Sequence, residues 1–593
     1  MNDRRAQAGA APGGAPAAYN PMLMFKLRTH KNNEQMITYI IAMATLGVVF
    51  LLFAMGRAVA SPAPRASILT RTTRAIRRTM LRPMPALPSV GHGTLVWCYL
   101  VINVAIAFTN TDPALTPLSN YGSRMAWMAI ANMMVVVLLA LKNTPIALIS
   151  PWSYERLNIL HQVAGIMMII FVILHASLYA ANFTSLGLSS RLLERKEIFG
   201  MVAGLSFFLL GLAGVVIRRW WYELFYYIHV ALWVLGTVMV CLHQPAAAKK
   251  VVYVVPVAGG IWLLDRIIRL ARIVAYSSGN NVTLVPLPHG ATRVILEKPP
   301  LGARAAKHCF LWIPRIRPTE AHPFTIVATS PVEFVISSYD GFTAGLHRYA
   351  QAHPGARLRA SVDGPYGTNP DPRRFDKTVL VAGGSGVTFT LGVAMDMLKK
   401  MDATDNSKEI VFIWIVRRKA YLSWFAEQLN ALQHDARFRV MLYVTRETLE
   451  QVSSPSPSTT GASTPDTAGS MSRSGGGDDH DPEKAAAGAV YRNLTASSSE
   501  KGSSNSGGGG GDDDLATPVE GLESHIHRLP VSYERPKVAE LVERAIDDTP
   551  AHRSVLVMAC GPNALSTQVR RTTAGKISGD GPSVELHCEQ FGW

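Results

Sequence analysis

The sequence predicts a multi-domain membrane protein, in which an α-helical transmembrane bundle of about seven spans precedes two cytosolic domains, an antiparallel β-barrel and a parallel α/β sheet. Apolar residues make up 48% of the 593 residues. They are concentrated in the N-terminal half, in runs close to the roughly 20 residues that cross a bilayer. In the C-terminal half, short β-branched runs broken by Pro and Gly come first, and alternating strands and helices follow. These two patterns are typical of a barrel and of a parallel sheet.

Seven apolar runs are the candidate spans, and the second is the least clearly marked. They cover residues 36–56, 94–109, 125–141, 157–180, 198–217, 223–242 and 251–271. Helices of a soluble core rarely stay apolar on every face for so long, which argues against a large soluble protein. Residues 1–35 are polar, and no cleavable signal peptide is evident. We therefore expect an extracellular N-terminus, a first span that acts as signal anchor, and a transmembrane domain over 36–275.

Basic residues predict the orientation of the bundle. A dense cluster follows the first span and consists of Arg65, Arg71, Arg74, Arg77, Arg78 and Arg82. The positive-inside rule places this cluster in the cytosol. Counting spans forward then places Arg218, Arg219, Arg266, Arg269 and Arg272 inside and makes the C-terminal half cytosolic. Asn182-Phe183-Thr184 falls in an outer loop, where it is a potential glycosylation acceptor.

Composition narrows the classes of partner. The net charge of +16 is explained by basic loops that face an anionic leaflet, so no nucleic-acid partner is expected. Five cysteines, Cys98, Cys241, Cys309, Cys560 and Cys588, show no metal-ligand spacing. A zinc site or a disulfide framework is therefore not expected.

Four histidines inside the apolar runs have a doubled spacing. His161 and His175 lie in one run, His229 and His243 in another, and each pair is fourteen residues apart. On a helix this interval is nearly four turns, or about 21 Å along one face. Two such helices side by side could ligate two stacked haems, because imidazoles can fill both axial positions of an iron. The alternative is that the histidines only hydrogen-bond neighbouring helices, although ionisable residues in spans are usually functional.

The cytosolic half is predicted to form two domains. Residues 276–372 contain the barrel pattern, and residues 373–593 contain the strand and helix alternation that starts near Thr378. Residues 452–523 interrupt the second domain with long tracts of Ser, Gly, Thr and Asp, and we expect them to be disordered. A surface loop can be lengthened in this way at little cost.

Several short motifs are candidates for binding a flavin and a dinucleotide. His322-Pro323-Phe324-Thr325 offers polar groups and an aromatic face to a flavin ring, although a polar turn is the simpler interpretation. Asp363-Gly364-Pro365-Tyr366-Gly367 is interpreted as a tight turn. Gly383-Gly384-Ser385-Gly386 follows a strand and precedes a helix, where backbone amides can approach a pyrophosphate. Arg417 and Arg418 follow the next strand and could bind the 2′-phosphate of NADPH, or could simply be exposed basic residues.

Two further features lie near the C-terminus. Cys560-Gly561-Pro562 ends a strand at the sheet edge where a nicotinamide would lie, and a buried structural cysteine is the competing interpretation. Trp593 could stack on a flavin, or could belong to a frayed tail.

The ordered set of motifs resembles the fungal ferric reductases of the ferric reductase and NADPH oxidase superfamily. The matching features are Tyr154-Glu155-Arg156-Leu157-Asn158 leading to His161, the four histidines, His322-Pro323-Phe324-Thr325, the Gly383 loop, Cys560-Gly561-Pro562 and the terminal tryptophan. They cover about 120–450 and 525–593, in the order found in the family.

The resemblance implies a six-helix core that binds two b-type haems, and a ferredoxin-reductase-like module with an FAD-binding barrel and an NADPH-binding sheet. It pairs His161 with His229 at the inner haem and His175 with His243 at the outer haem. It assigns His322, Pro323, Phe324 and Thr325 to the flavin, Gly383, Gly384, Ser385 and Gly386 to NADPH, and Cys560, Gly561 and Pro562 to the nicotinamide end.

Two segments depart from the family pattern. Gly341-Phe342-Thr343 matches a flavin-phosphate segment, but Tyr339-Asp340 replaces the lysine that relatives commonly have just before it. Glu534-Arg535-Pro536 stands where relatives often have Gly-Arg-Pro, so only Arg535 and Pro536 are carried over as cofactor-binding residues.

The expected function is a metalloreductase that passes electrons from cytosolic NADPH through FAD and two haems to external ferric or cupric chelates. We expect it in the plasma membrane, with the vacuolar membrane as the alternative, and in functional coupling with a high-affinity iron or copper uptake system. The alternatives are a superoxide-generating NADPH oxidase, which shares the same redox parts, and a non-redox membrane scaffold or transporter. The absence of an EF-hand loop removes only the calcium-regulated oxidases.

Overall fold

The computed structural model describes residues 21–60, 68–146, 154–243, 253–401, 407–447 and 530–589. The predicted disordered insert 452–523 and Trp593 lie outside the described residues, as do residues 1–20.

The described part of the N-terminal half is helical. Its helices are α1 (Pro21–Ala60), α2 (Ile68–Leu81), α3 (Val90–Phe108), α4 (Pro117–Ala140), α5 (Tyr154–Ser185), α6 (Arg195–Val215), the short α7 (Ile217–Trp220), α8 (Tyr222–Leu242) and α9 (Val254–Ser277). Capping side chains fix two of the helix starts, because Ser89 accepts from the N–H of His92 and Thr116 accepts from that of Ser119.

Six helices, rather than the predicted seven, are long and apolar enough to cross a membrane among the described residues. They are Phe25–Phe53, Val90–Phe108, Pro117–Ala140, Arg156–Ser185, Arg195–Trp220 and Tyr222–Leu242. The predicted seventh run is also helical, as α9, but Asp265, Arg266 and Arg269 interrupt its apolar character. Its N-terminal half is apolar, and its charged half leads toward the cytosolic domains.

The first helix begins earlier than predicted and is packed on the bundle by polar contacts. Arg124 of α4 is 1% exposed. Its Nε donates to Asn32 Oδ1 of α1 at 2.6 Å, and its terminal nitrogens donate to the carbonyls of Ile106, Thr109 and Asn110 at 2.7, 2.8 and 3.1 Å. Asn32 in turn donates to Ser123 at 2.9 Å. Residues near 32 are therefore part of α1 and pack on the helix bundle.

Basic residues of three helices in the N-terminal half contact the two C-terminal domains. Arg74 of α2 donates to the Gly579 carbonyl at 3.0 Å, Arg156 of α5 lies 3.3 Å from Glu589, and Arg272 of α9 lies 3.2 Å from Asp363. Helices α2, α5 and α9 are therefore each joined to the C-terminal half by an arginine.

Asn182 is not placed as an outer-loop glycosylation acceptor should be. It lies inside α5, is 6% exposed, and accepts a hydrogen bond from the Thr116 hydroxyl at 3.3 Å. A glycan needs an exposed side chain, so the structure gives no support to the predicted modification at this residue.

The first cytosolic domain consists of antiparallel strands, as predicted. Its strands are β1 (Asn281–Leu287), β2 (Ala291–Leu296), β3 (His308–Trp312), β4 (His322–Thr325), β5 (Ala328–Thr329), β6 (Val332–Ser337), β7 (Arg357–Arg359) and β8 (Ser361–Tyr366). They form one sheet in the order β5-β6-β2-β1-β7 and another in the order β4-β3-β8. Helix α10 (Gly341–Ala352) packs on the same apolar core through Phe342 and Leu346.

The second cytosolic domain is the predicted parallel sheet. Its strands are β9 (Lys377–Gly383), β10 (Glu409–Val416), β11 (Phe438–Val444), β12 (Val531–Ser532), β13 (Ser554–Cys560) and β14 (Ser583–Glu589), in the order β12-β11-β10-β9-β13-β14. The helices are α11 (Val387–Lys400), α12 (Ala426–Gln433), α13 (Val538–Asp547) and α14 (Asn563–Lys576). The insert separates β11 from β12, which are neighbours in the sheet. Strand β12, which follows the insert in the chain, therefore extends the same sheet.

We predict that Arg124→Gln lowers the free energy of unfolding by about 2–4 kcal/mol, because the shorter side chain leaves buried carbonyl groups without donors. The measurement is thermal unfolding of the purified protein in detergent, with exposed Arg219→Gln as the matched control. An unchanged midpoint for Arg124→Gln would mean that apolar packing alone holds α1 on the bundle.

Candidate electron-transfer sites

The two pairs of intramembrane histidines face each other across α5 and α8, as the spacing predicts. The ring centres of His161 and His229 are 6.4 Å apart, and those of His175 and His243 are 6.3 Å apart. Both pairs have an interplanar angle of 62°. The structure therefore places two imidazole pairs at two depths of the bundle.

These separations fit one metal ion between each pair of rings. A metal-bound imidazole nitrogen lies about 2 Å from the metal, and the ring centre lies roughly 1 Å further, so rings on opposite sides of one ion have centres about 6 Å apart. A haem iron held by two histidines has this arrangement. The residues present therefore fit one iron ion, such as that of a haem, between each pair of rings.

The second ring nitrogen of three histidines is hydrogen-bonded to the backbone. Nδ1 of His161 lies 3.0 Å from the Val136 carbonyl, Nδ1 of His175 lies 2.8 Å from that of Gly122, and Nδ1 of His243 lies 2.7 Å from that of Lys196. Such bonds fix the tautomer and orient the ring, which leaves Nε2 for a metal. His229 Nδ1 is buried without a hydrogen bond of normal geometry among the described residues.

Glycines shape the space beside the rings. A Cβ on Gly165, one turn after His161, would meet nothing within 4 Å, so the helix surface between the two pairs is open. A Cβ on Gly200 of α6 would come within 2.7 Å of the His243 ring, so this ring needs a glycine beside it. The open surface at Gly165 is consistent with a planar group seated between α5 and α8.

The motif His322-Pro323-Phe324-Thr325 meets the segment Gly341-Phe342-Thr343. The first motif forms β4 and the second begins α10. The rings of His322 and Phe342 are stacked with centres 4.7 Å apart, and those of Phe324 and Phe342 are 6.0 Å apart. Gly341 has φ of +45°, which a glycine adopts without strain. An aromatic surface beside a helix N-terminus suits a flavin ring and its phosphates.

The residues that depart from the family pattern lie at this same helix start. Asp340 occupies the N-cap position of α10 without a side-chain capping bond, and Tyr339 is 75% exposed. Asp340 therefore places a negative charge at the N-terminus of α10.

The flavin motif lies next to the membrane helix that carries His229. Glu223 at the start of α8 groups with Glu320 and His322, and their ligand atoms all lie within 4.8 Å of one another. The hydroxyl of Tyr227 in α8 donates to the Thr319 carbonyl at 3.5 Å. Because Glu223 precedes His229 by six residues, it lies about 9 Å from it along the helix axis. The inner histidine pair is therefore the pair nearer to the flavin motif.

The glycine loop contacts the Cys560-Gly561-Pro562 motif. Strand β9 ends at Gly383, and α11 begins at Val387. A Cβ on Gly386 would collide with the Cys560 carbonyl and would lie 3.0 Å from the Gly561 nitrogen. A Cβ on Gly383 would lie 2.9 Å from Pro562. The two motifs that were predicted to bind the dinucleotide are therefore packed against each other at the carboxyl ends of β9 and β13, where ligands of such sheets bind.

Exposed arginines follow three neighbouring strands at this edge. Arg417 and Arg418 follow β10, and Arg535 follows β12 with Pro536 beside it. Arg446, which follows β11, donates its N–H to the Arg417 carbonyl at 3.1 Å. The sequence analysis missed Arg446, although its place after a buried strand was the signal used for Arg417. This group of guanidinium ions suits the 2′-phosphate of NADPH.

Cys560 is a buried thiol and not an activated nucleophile. It is 3% exposed, and burial together with the Glu589 charge raises the pKa of the thiol well above its usual range. The residue opposite Cys560 in β14 is Glu589. Cys560 is thus a neutral group at the end of β13 and does not ionise there.

Glu589 belongs to a buried cluster that sequence analysis missed. It accepts from Arg156 at 3.3 Å and lies 2.8 Å from His587 Nε2. Burial works against the carboxylate, but Arg156 and His587 outweigh it and lower the pKa of Glu589 to about 2. Burial and Arg156 lower the pKa of His587, so this imidazole is neutral near pH 7. No sequence pattern marks such a contact, because Arg156 and Glu589 are far apart in the chain.

The segment Asp363–Gly367 was interpreted as a tight turn, and this is wrong for its first four residues, which lie in strand β8. Asp363 is fully buried, 2.7 Å from Arg269 Nε and 3.2 Å from an Arg272 nitrogen of α9. The Tyr366 hydroxyl also donates to Asp363 at 2.7 Å. This ion pair joins the barrel domain to the end of α9.

Comparisons with protein families agree with this organisation. Residues 125–240 match the ferric reductase like transmembrane component, residues 277–370 match an FAD-binding domain, and residues 375–574 match the ferric reductase NAD binding domain.

The curated relatives are mainly fungal ferric reductases. A probable cell surface ferric reductase of Aspergillus oryzae is 24% identical and covers 61% of this chain and 54% of the relative. Ferric/cupric reductase transmembrane component 1 of Candida albicans is 26% identical over 53% of this chain and 41% of the relative. Component 2 of Schizosaccharomyces pombe is 25% identical over 59% and 71%. The chain spans about half the length of the first of these relatives.

Among solved structures, a ferredoxin NADP+ reductase from Neisseria gonorrhoeae aligns with 52% of this chain and 97% of its own, at 14% identity and a TM-score of 0.30. The assignment to domains above depends on the family matches and on the sheet topologies, and not on this alignment.

We predict that Gly386→Ala weakens NADP(H) binding by about tenfold or more, because the added methyl group forces the glycine loop away from Cys560. The measurement is titration of the purified protein with NADP+. Gly575→Ala is the matched control, because its Cβ would meet nothing within 4 Å. Equal affinities for the two variants would show that the contact between the loop and Cys560 does not shape the dinucleotide site.

Proposed function

We propose that this chain, a member of the ferric reductase family, is a transmembrane metalloreductase that passes electrons from cytosolic NADPH through FAD and two b-type haems to ferric or cupric chelates outside. The observation that carries the proposal is the pair of facing imidazole pairs, with ring centres 6.4 and 6.3 Å apart at two depths of the bundle. The named ferric/cupric reductase relatives support the metal acceptor.

The residues of the cytosolic site have distinct tasks under this proposal. The loop Gly383–Gly386 and the N-terminus of α11 would hold the dinucleotide pyrophosphate, and Arg417, Arg418 and Arg535 would hold its 2′-phosphate. Buried Cys560 and the adjacent Gly561 and Pro562 would bound the nicotinamide, and Trp593 remains the proposed flavin-stacking residue. These contacts orient the hydride donor and exclude water from the reacting face.

The flavin site would connect the two-electron donor to the one-electron acceptors. His322–Thr325 and Gly341–Thr343 would hold the FAD ring and its phosphates. A bound flavin accepts a hydride and releases electrons singly, whereas haem takes one electron at a time. The ligand atoms of His322 and Glu223 lie within 4.8 Å of each other, so the flavin motif lies beside the start of α8 and close to the inner histidine pair.

In the membrane, His161 and His229 would ligate the inner haem and His175 and His243 the outer haem. The backbone hydrogen bonds at Nδ1 would hold the ring tautomers and tune the potential of each iron. The acceptor would then be reduced at the outer face. We place the protein in the plasma membrane, with the vacuolar membrane as the alternative, and its product would supply a high-affinity iron or copper uptake system.

The superoxide-generating oxidase shares these parts and differs only in the acceptor. The experiment that separates the two follows NADPH-dependent reduction of a ferric chelate by membranes that contain the protein, under nitrogen and in air, with and without superoxide dismutase. Reduction that persists without oxygen and resists the dismutase supports the metalloreductase. Reduction that disappears under nitrogen and is blocked by the dismutase in air would instead mean that the protein is a superoxide-generating oxidase.

We predict that His175→Ala removes one haem per chain and abolishes reduction of the external chelate, because the outer iron loses an axial ligand. NADPH-dependent reduction of a soluble dye at the flavin should stay within about twofold of wild type, since the cytosolic site is untouched. The measurements are the haem absorbance per chain and the two reduction rates.

His353→Ala serves as the control, since His353 is an exposed histidine of the barrel domain. It should leave the haem content and both rates unchanged. Normal chelate reduction by His175→Ala would contradict the pairing of His175 with His243.

A further inference from the structure

Helix α2 joins the N-terminal part of the chain to the far edge of the NADPH-binding domain. The family matches begin at residue 125 and end at residue 574. Helix α2 lies before the matched region, and its partners, residues 578–585, lie after it. This contact is therefore a feature of the chain that the matched domains do not include.

Arg74 makes the central contact. It is 9% exposed, and one terminal nitrogen donates to the carbonyls of Ser578, Gly579 and Gly581 at 3.3, 3.0 and 3.0 Å. These carbonyls follow the C-terminus of α14, where the helix dipole is negative and favours a cation. Bonds of this kind from a charged donor are about twice as strong as neutral ones. A buried guanidinium with three carbonyl acceptors is a specific docking contact.

Two further arginines of α2 flank Arg74, and the ion pairs that they form differ in strength. The Arg77 side chain is 7% exposed and lies 3.8 Å from the Glu585 carboxylate, which is 12% exposed. Arg71 lies 2.8 Å from Asp580, but these side chains are 60% and 82% exposed. Exposed ion pairs are screened by solvent and contribute little. The docking contact therefore depends on Arg74 and Arg77 far more than on Arg71.

Helix α2 is itself held on the bundle. The N–H of Val90, the first residue of α3, donates to the Arg82 carbonyl at 2.9 Å, and the Thr94 hydroxyl donates to the Met80 sulfur at 3.8 Å. The arginines thus project from an element fixed to the membrane half.

We propose that Arg74 and Arg77, here called the α2 clasp, hold the NADPH-binding domain docked against the membrane half, so that the electron path is assembled within one chain. Arg74 binds carbonyls of the loop that precedes strand β14, and Arg77 lies beside Glu585 within that strand. Arg156 binds Glu589 at the end of the same strand. Strand β14 pairs with β13, and Glu589 lies opposite Cys560. Fixing β14 at both ends fixes the nicotinamide edge relative to the bundle. This inference rests on the proposed function, because docking matters only if electrons pass from this domain to the membrane half.

The first test measures docking without using activity. In the full-length protein, Arg71→Cys and Asp580→Cys are joined by a short bismaleimide, and the yield of cross-link reports the docked form. Replacing Arg71 and Asp580 should change the docking free energy little, since their ion pair is exposed. Each single-cysteine variant alone shows the background from the native cysteines.

Arg74→Gln and Arg77→Gln are then added, each and together, to the two-cysteine protein. We expect the docking equilibrium to move by about tenfold or more toward the undocked form in the double variant, because charge-assisted bonds are lost. Arg78→Gln is the matched control, because Arg78 is exposed on the same helix and has no hydrogen bond or ion pair among the described residues. It should cross-link as the parent does. Glu585→Gln tests the contact from the opposite side, in case the arginine variants fold poorly.

The second test separates docking from chemistry. In the Arg74→Gln, Arg77→Gln protein, NADPH should still reduce a soluble dye at the flavin, while the rate of haem reduction falls. The cross-link should then restore haem reduction, which a folding defect would not allow. Unchanged cross-linking and unchanged haem reduction in this protein would overturn the clasp. If wild type shows no NADPH-dependent haem reduction at all, the proposed function fails, while the cross-link still reports whether the clasp exists.

Discussion

The packing of the helix bundle depends on one constraint. Two imidazoles from different helices must face each other at each of two depths of the bundle. Helices α5 and α8 carry the pairs and must run in the same direction for the fourteen-residue intervals to match. Parallel neighbours need a returning element between them, and α6 supplies it. Gly200 of α6 leaves room for the His243 ring, and backbone carbonyls of α4 orient His161 and His175. The positions of α4 and α6 therefore follow from the histidine pairs.

Arginines at the cytosolic face of the bundle also make the contacts between domains. Such residues orient a membrane protein during insertion. Here Arg74, Arg156 and Arg269 also bind buried carbonyl or carboxylate acceptors of the cytosolic domains. Asp363 is fully buried against two arginines of α9, so the barrel domain cannot leave the bundle without exposing or stranding a charge. These residues thus join the cytosolic domains to the helix bundle.

Local patterns predicted most of the fold and the pairing of the candidate sites. The spacing of the four histidines was enough to predict facing pairs, and glycines between a buried strand and a helix were enough to predict the loop that follows β9. The sequence did not reveal the roles of Asp363, Arg156 or Arg74, because their partners lie in distant parts of the chain and leave no periodic trace. Charges in α9 and the buried position of Asn182 were misjudged for a related reason. An apolar run or a glycosylation tripeptide is recognised from local composition alone. Whether its side chains are buried depends on neighbouring elements, which only the fold brings together.

The most direct test of the central claim asks whether electrons cross the membrane through this chain. Sealed proteoliposomes would carry the purified protein with its cytosolic domains outward, a membrane-impermeant ferric chelate trapped inside, and NADPH added outside under nitrogen. The account predicts that ferrous iron appears inside on addition of NADPH, at a rate that depends on the protein. Reduction only when NADPH and the chelate are on the same side of the bilayer would contradict a path through the two histidine pairs.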